Sequence, residues 1–173
     1  MKILIKNQQR RRSLNKTKIT ETARKILCIL DQPTAELSIM FVGDKKMSEL
    51  NAVYRGINRS TDVLSFPQIS ENRGVRNKKF NKDKIPARQF YTSNLSLLTS
   101  HFILGDIVIS VPRAESQAKI YGWGFHDEIS RLLIHGTLHL MGYDHEKTVY
   151  RAGKMKKKEQ ELLNAVKKMD SKH

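Results

Sequence analysis

The sequence predicts an α+β fold, a single small domain in which a mixed sheet packs against several helices. Three observations predict it. Short strand-like runs, KILIK at 2–6, ELSIMFVG at 36–43 and LGDIVIS at 104–110, alternate with stretches of helical periodicity. A length of 173 residues suits one domain with a real core and leaves little chain for a second. Apolar residues make up 39% and charged residues 28%, a globular composition, and no apolar run approaches the roughly 20 residues that cross a bilayer.

Taken in order, residues 2–6 alternate as a short strand. From Thr17 to Leu30, Ile19, Ala23, Ile26, Leu27 and Leu30 recur at helical spacing, and Asp31-Gln32-Pro33 ends that helix. Cys28, the only cysteine, falls in this stretch and is expected to be a small buried core residue; a disulfide within the chain and a cysteine zinc cage are both excluded. Residues 36–43 suit a buried strand. Asp44 is placed to cap the next helix, whose Met47, Leu50 and Tyr54 face inward and whose end is Gly56. STDVLSFP, residues 60–67, is extended and stopped by Pro67.

Between Gln68 and Phe102 the chain turns basic and polar without sustained periodicity, which marks an insertion or loop at 68–102. Order returns with the strand at 104–110, and Pro112 opens a helix that reaches Tyr121. Gly122-Trp123-Gly124 separates it from a helix over His126–Met141, with Ile129, Leu132, Leu133 and Leu140 on its apolar side. A last helix spans 146–170, with Met155, Leu162, Leu163, Val166 and Met169 as its stripe. Strand order is not legible.

Charge points to a class of partner. Thirty-two Lys and Arg against 17 Asp and Glu give a net charge of +15, an excess that attracts polyanions and releases counterions when phosphates are bound. The start of the chain carries no signal-peptide pattern, so a cytoplasmic location is expected.

The informative segment is HGTLHLMGYDH, residues 135–145. His135 and His139 are four apart on a helix, with Cβ atoms roughly 6 Å apart, close enough to share one metal ion. Gly142 stands where the helix should end, and a glycine there accepts the positive φ that turns the chain and brings His145 back. A lone histidine is usually a surface or satisfied core residue. Three within eleven residues around a glycine, in a chain of six histidines, point instead to one zinc-type ion with an open coordination position. Nickel, copper and iron accept such ligands too. His101, His126 and His173 lack that context. The spacing equals that of the H-E-x-x-H-x-x-G-x-x-H zinc peptidases, but Gly136 stands where those enzymes carry their general base, which argues for a metal hydrolase and against a standard protease.

HGTLHLMGYDH, with STDVLSFP and LGDIVIS in that order, resembles the YbeY family of metal-dependent endoribonucleases, and the likeness extends back to KMSELNAVYRG at 46–56. The resemblance implies cleavage of single-stranded RNA in maturation of ribosomal RNA, near the 3′ end of the small-subunit rRNA, and in ribosome quality control. Its partners would be rRNA and the small ribosomal subunit, with no DNA and no membrane; a monomer is expected. Carried over, His135, His139 and His145 are the metal ligands, and Arg55 matches the family's functional arginine. Arg55 and His139 are therefore the candidate catalytic residues; without the resemblance, Arg55 reads as a solvated residue at a helix end. Asp144 orients a ligand or caps a turn. Thr61, Asp62, Ser65 and Asp106 serve strand-end hydrogen bonding or catalysis. Ser60 replaces the proline usual before TDVLSFP, and relatives commonly have a shorter segment before LGDI. Two other readings stay open: a ribosome-binding assembly factor with a structural metal, and a zinc peptidase with its base elsewhere, such as Glu128 or Asp106.

Overall fold

A computed structural model describes residues 1–68, 102–143 and 148–170. Among these the chain forms strand β1 (Lys2–Asn7), helix α1 (Lys16–Ile29), strand β2 (Ala35–Val42), helix α2 (Asp44–Arg55), strands β3 (Val63–Pro67) and β4 (Phe102–Ser110), and helices α3 (Val111–Tyr121), α4 (Phe125–Leu140) and α5 (Val149–Asp170). The segment expected to be an insertion lies, apart from its end residues Gln68 and Phe102, outside the described residues. No helix among the described residues is long and apolar enough to cross a membrane.

The four strands make one sheet in the order β1-β2-β4-β3. β1 and β4 both run parallel to β2, and β3 pairs antiparallel with β4 at one edge. The mixed sheet follows from the connections. α1 links β1 to β2, and a helical crossover permits parallel neighbours. β3 returns beside β4 in the opposite sense, with Ser65 opposite Ile107 and Pro67 opposite Gly105.

Alternation of side chains along each strand gives the sheet two buried faces. Leu37, Ile39 and Phe41 of β2 join Ile107 and Ile109 of β4 in the main core, under α1, α4 and α5. Val42, Leu64 and Val108 form a smaller core on the other face, closed by Met47 of α2. β4 is covered on both sides, which accounts for the continuous apolar run IVI at 107–109. Each large aliphatic side chain fully buried in these layers contributes about 1.5–3 kcal/mol.

Several expectations are corrected by packing. Cys28 is exposed, because Ile26 and Leu27 take the inward positions of α1 and residue 28 follows on the outer side. Met169 is 42% exposed, beyond the point where Met155, Leu162 and Val166 hold α5 to the core. Asp44 is the first residue of α2 and Gly43 is its cap. The Asp44 carboxylate instead accepts hydrogen bonds from Ser60 (2.6 Å) and Ser110 (2.8 Å), tying the start of α2 to the loop before β3 and to the end of β4. Pro112 lies in the first turn of α3 as expected, with Ser110 capping the Arg113 amide at 3.3 Å.

Candidate metal centre

α4 carries the site, and its sequence explains its place at the centre of the fold. Ile129, Leu132, Leu133, Ile134, Leu138 and Leu140 are buried, together with Glu128, Gly136 and Thr137. Beyond the first turn, what remains is a row at four-residue spacing, Arg131, His135 and His139, each only partly buried. Residues four apart on a helix stack along one face. The helix thus offers one partly exposed polar stripe beside a largely apolar buried surface.

His135 and His139 meet as their spacing requires. Their Nε2 atoms lie 3.1 Å apart and the rings stand edge to face at 71°. Two nitrogens at that separation, each about 2.0–2.1 Å from a shared ion, subtend an angle of roughly 100° there, close to a tetrahedral pair. The two nitrogens are therefore spaced to fill two positions of a zinc-type ion.

The helix stops where the turn needs it to. Gly142 has φ +88°; its amide donates to the His139 carbonyl at 2.9 Å and the Tyr143 amide to the Leu138 carbonyl at 3.0 Å. These are the paired bonds of a left-handed C-terminal cap, and they redirect the chain immediately after His139. His145 and Asp144 lie outside the described residues, and among the described residues no three His, Cys, Asp or Glu side chains converge on one point.

On its sheet side α4 comes close to the strands at Gly136. A Cβ added there would stand 3.0 Å from both Ser65 Oγ and Ile107 Cδ1, tighter than ordinary contact. At the position that holds the general base in zinc peptidases, a side chain would therefore have to push Ser65 and Ile107 aside. The two alternative bases are displaced as well. Glu128 is fully buried and accepts a forked pair of hydrogen bonds from Arg131, the shortest 2.6 Å. Asp106 shares strand parity with Val108, which packs on the α2 side of the sheet, away from α4.

A residue absent from the expectations completes the stripe. Glu159 of α5 places Oε1 2.5 Å from His135 Nδ1, with each side chain about one-fifth exposed. Its signal in the sequence was position: four after Met155 and three before Leu162, it is a carboxylate on the buried face of α5. Arg131, one turn before His135, bonds Glu128 and stands 3.5 Å from Asp62. Burial opposes its charge, but the Glu128 hydrogen bonds and the Asp62 and Glu159 carboxylates raise its pKa above the ordinary value. Asp62 is held below the usual carboxylate range: burial pushes it up, and hydrogen bonds from Gln117, Thr61 and the Val63 amide outweigh that. Asp62 is thus engaged in securing the start of β3.

Arg55 is exposed at the last position of α2, on the other sheet face from α4. Its neighbour Tyr54 packs against Phe66 with ring centroids 4.6 Å apart. On the α4 side, Leu140 lies against Gly105, the partner of Pro67. Tyr54 and Leu140, the chain neighbours of Arg55 and His139, therefore flank the same Phe66-Pro67 end of the edge strand, one on each face.

Comparison with known proteins matches this framework. The family model for Endoribonuclease YbeY covers residues 4–167. Endoribonuclease YbeY of Thermodesulfovibrio yellowstonii is 41% identical over 131 residues, 76% of this chain and 67% of that protein. That of Persephonella marina is 36% identical over 165 residues, 95% of this chain and 92% of the relative. That of Leptospira interrogans is 40% identical over 137 residues, 78% and 89%. The solution structure of a Thermotoga maritima protein superposes with a TM-score of 0.57 at 23% identity, covering 95% of this chain and 88% of that one, and so shares the fold. A family match along nearly the whole chain and relatives of this similarity place the chain in the YbeY endoribonuclease family.

Proposed function

We propose that the protein is a metal-dependent endoribonuclease that cuts single-stranded RNA, acting in maturation of the 3′ end of small-subunit rRNA and in ribosome quality control. The observation that carries the reading is the facing Nε2 pair of His135 and His139, with the far nitrogen of His135 on a carboxylate. Imidazoles that bind a metal commonly hold their other nitrogen on a carboxylate in this way. His145 is the third ligand in this proposal, zinc the metal, and the cytoplasm the location.

A zinc-type ion, when bound, supplies Lewis-acid polarisation of a phosphoryl oxygen. The chain supplies the rest. His135 and His139 hold their nitrogens toward one point from a helix anchored on both sides by apolar packing. Arg55, at the same end of β3, clamps a phosphate through two parallel hydrogen bonds and stabilises charge as it grows. The basic surface that gives the net charge of +15 draws the RNA and the ribosomal subunit. Gly136 leaves the site without the carboxylate that drives zinc peptidases, which favours RNA over peptide chemistry.

The test compares wild type with His139→Ala, both purified without a metal-binding tag, for metal content and for cleavage of a single-stranded rRNA fragment. About one ion per chain and cleavage in the wild type, both lost in the variant, is the expected result. Cleavage that persists in a folded, metal-free variant overturns the proposal.

A further inference from the structure

The contact between Glu159 and His135 decides something that the two histidines alone leave open. Two imidazole nitrogens 3.1 Å apart are compatible with a hydrogen bond, in which one ring gives its Nε2 proton to the other. They are equally compatible with two lone pairs aimed at one cation. A neutral imidazole carries one proton, so the partner of Nδ1 decides whether that ring can be the donor in the pair or offers its Nε2 lone pair.

At His135 that partner is a carboxylate oxygen 2.5 Å away. A carboxylate accepts and does not donate, so Nδ1 keeps the proton and Nε2 is left with its lone pair. The carboxylate is itself firmly placed. Glu159 lies between Met155 and Leu162 on the face that α5 buries against α4, so the packing of α5 sets its reach. Its charge is close enough to Arg131 to raise that group, so it stands between two members of the α4 stripe.

We infer that Glu159 is a positioning residue for the metal centre, fixing the Nδ1–H tautomer and ring orientation of His135 so that Nε2 is presented as a ligand. The inference rests on the proposed metal reading. It adds that α5, an element outside the histidine motif, is part of the metal-binding apparatus and does more than cover the core. The competing role is a tether, in which the contact joins α5 to α4 and has no bearing on metal.

The experiment uses the full chain as wild type, Glu159→Gln and Glu159→Ala. Nitrogen chemical shifts of the His135 ring, read above neutral pH on metal-free protein, report its tautomer. Zinc affinity is measured by competition with a chromophoric chelator, and the melting temperature of the metal-free form is recorded. The expected result is the Nδ1–H tautomer in the wild type, and a loss of roughly 10–100-fold in zinc affinity in Glu159→Ala. Glu159→Gln, whose amide oxygen still accepts from Nδ1, recovers most of that loss. A tether predicts the reverse: lowered melting temperatures in the metal-free variants with zinc affinity unchanged, which overturns the inference. An Nε2–H tautomer in the wild type overturns it even where zinc binds. Failure of the wild type to bind zinc at all, with the Nδ1–H tautomer in place, sinks the metal reading itself and with it this role.

Discussion

Gly136 and Ser65 stand so close that a Cβ on the helix would lie 3.0 Å from the serine hydroxyl, with Ile107 Cδ1 equally near. The contact lets α4 settle against β3 and β4, and that approach fixes the depth at which His135 and His139 sit. Two effects oppose each other in Gly136→Ala. Helix propensity favours alanine by about 0.5–1 kcal/mol, whereas forcing a methyl into a filled space costs about 1–3 kcal/mol. The neighbours here are a strand side chain and a core isoleucine, so the packing cost wins and the variant unfolds at lower urea. A variant as stable as wild type, or more so, would show that the interface yields. Gly136→Glu, which restores the peptidase motif, is expected to fold poorly and to gain no casein hydrolysis.

How much of this was legible depended on how local each signal was. The elements came through because their periodicities are local: α4 was expected over His126–Met141 and runs Phe125–Leu140. The pairing of His135 with His139 is one turn of one helix, and Gly142 caps it as its position required. Cys28 and Met169 look buried in the sequence but are exposed, because apolar residues also occur beside a buried stripe and a single position off phase leaves the core. Glu159 is not legible in the sequence because its contact with His135 depends on the docking of α5 on α4, which is a tertiary fact. Strand order was hidden for the same reason. The sheet faces that separate Arg55 from His139, and Asp106 from α4, follow only from that order.

Arg55 is expected to act on rate more than on binding. Arg55→Ala should lower cleavage of single-stranded rRNA by roughly 10²–10³-fold, the usual cost of losing one charge-stabilising donor. RNA affinity, spread over many basic side chains, should change far less. Arg55→Lys should recover only part of the rate, since an ammonium lacks the planar fork that engages two phosphate oxygens. A rate in Arg55→Ala within twofold of wild type removes the residue from the catalytic set.

Binding of RNA should fall steeply with salt. If the net charge of +15 provides affinity through some 6–10 phosphate contacts, the association constant should drop by about 10³–10⁵ between 50 and 200 mM salt. A titration of labelled single-stranded RNA across that range checks it, using His139→Ala to prevent cleavage. A flat response would mean that the basic surface does not carry the affinity.

His126 makes stability depend on mild acid. Burial, with Lys18 adding to it, lowers its pKa below the ordinary 6.5, and the ring contacts Thr22 Oγ1 at 3.2 Å. Asp127 and Asp170 act in the opposite sense but do not reverse the shift. The folded state thus binds this proton less readily than the unfolded chain. Stability is complete above the unfolded value near 6.5 and declines as pH falls toward and through the lower folded value. Urea midpoints should drop between about pH 7.5 and 5.5, and His126→Gln should flatten that drop. An equal drop in the variant would assign the effect to other groups.

Arg131 and Glu128 form the connection on which the upstream half of the stripe depends. Glu128 is fully buried and Arg131 engages it through a fork, while also reaching toward Asp62 and Gln117 at 3.5 Å. The pair joins the body of α4 to the start of β3 and to α3, and it lies one turn from His135. Arg131→Met removes the cation and leaves a buried carboxylate uncompensated, which costs about 3 kcal/mol or more. Glu128→Leu together with Arg131→Met removes both charges, and the double variant should regain much of that stability. Denaturant unfolding of the two single variants and the double variant closes the cycle. Additive losses would mean that the two residues act independently. A coupling that restores stability would show that the cost in Arg131→Met comes from the stranded Glu128 charge. In that case the double variant should also keep its zinc affinity, because the apolar pair fills the same space and leaves His135 where Glu159 holds it.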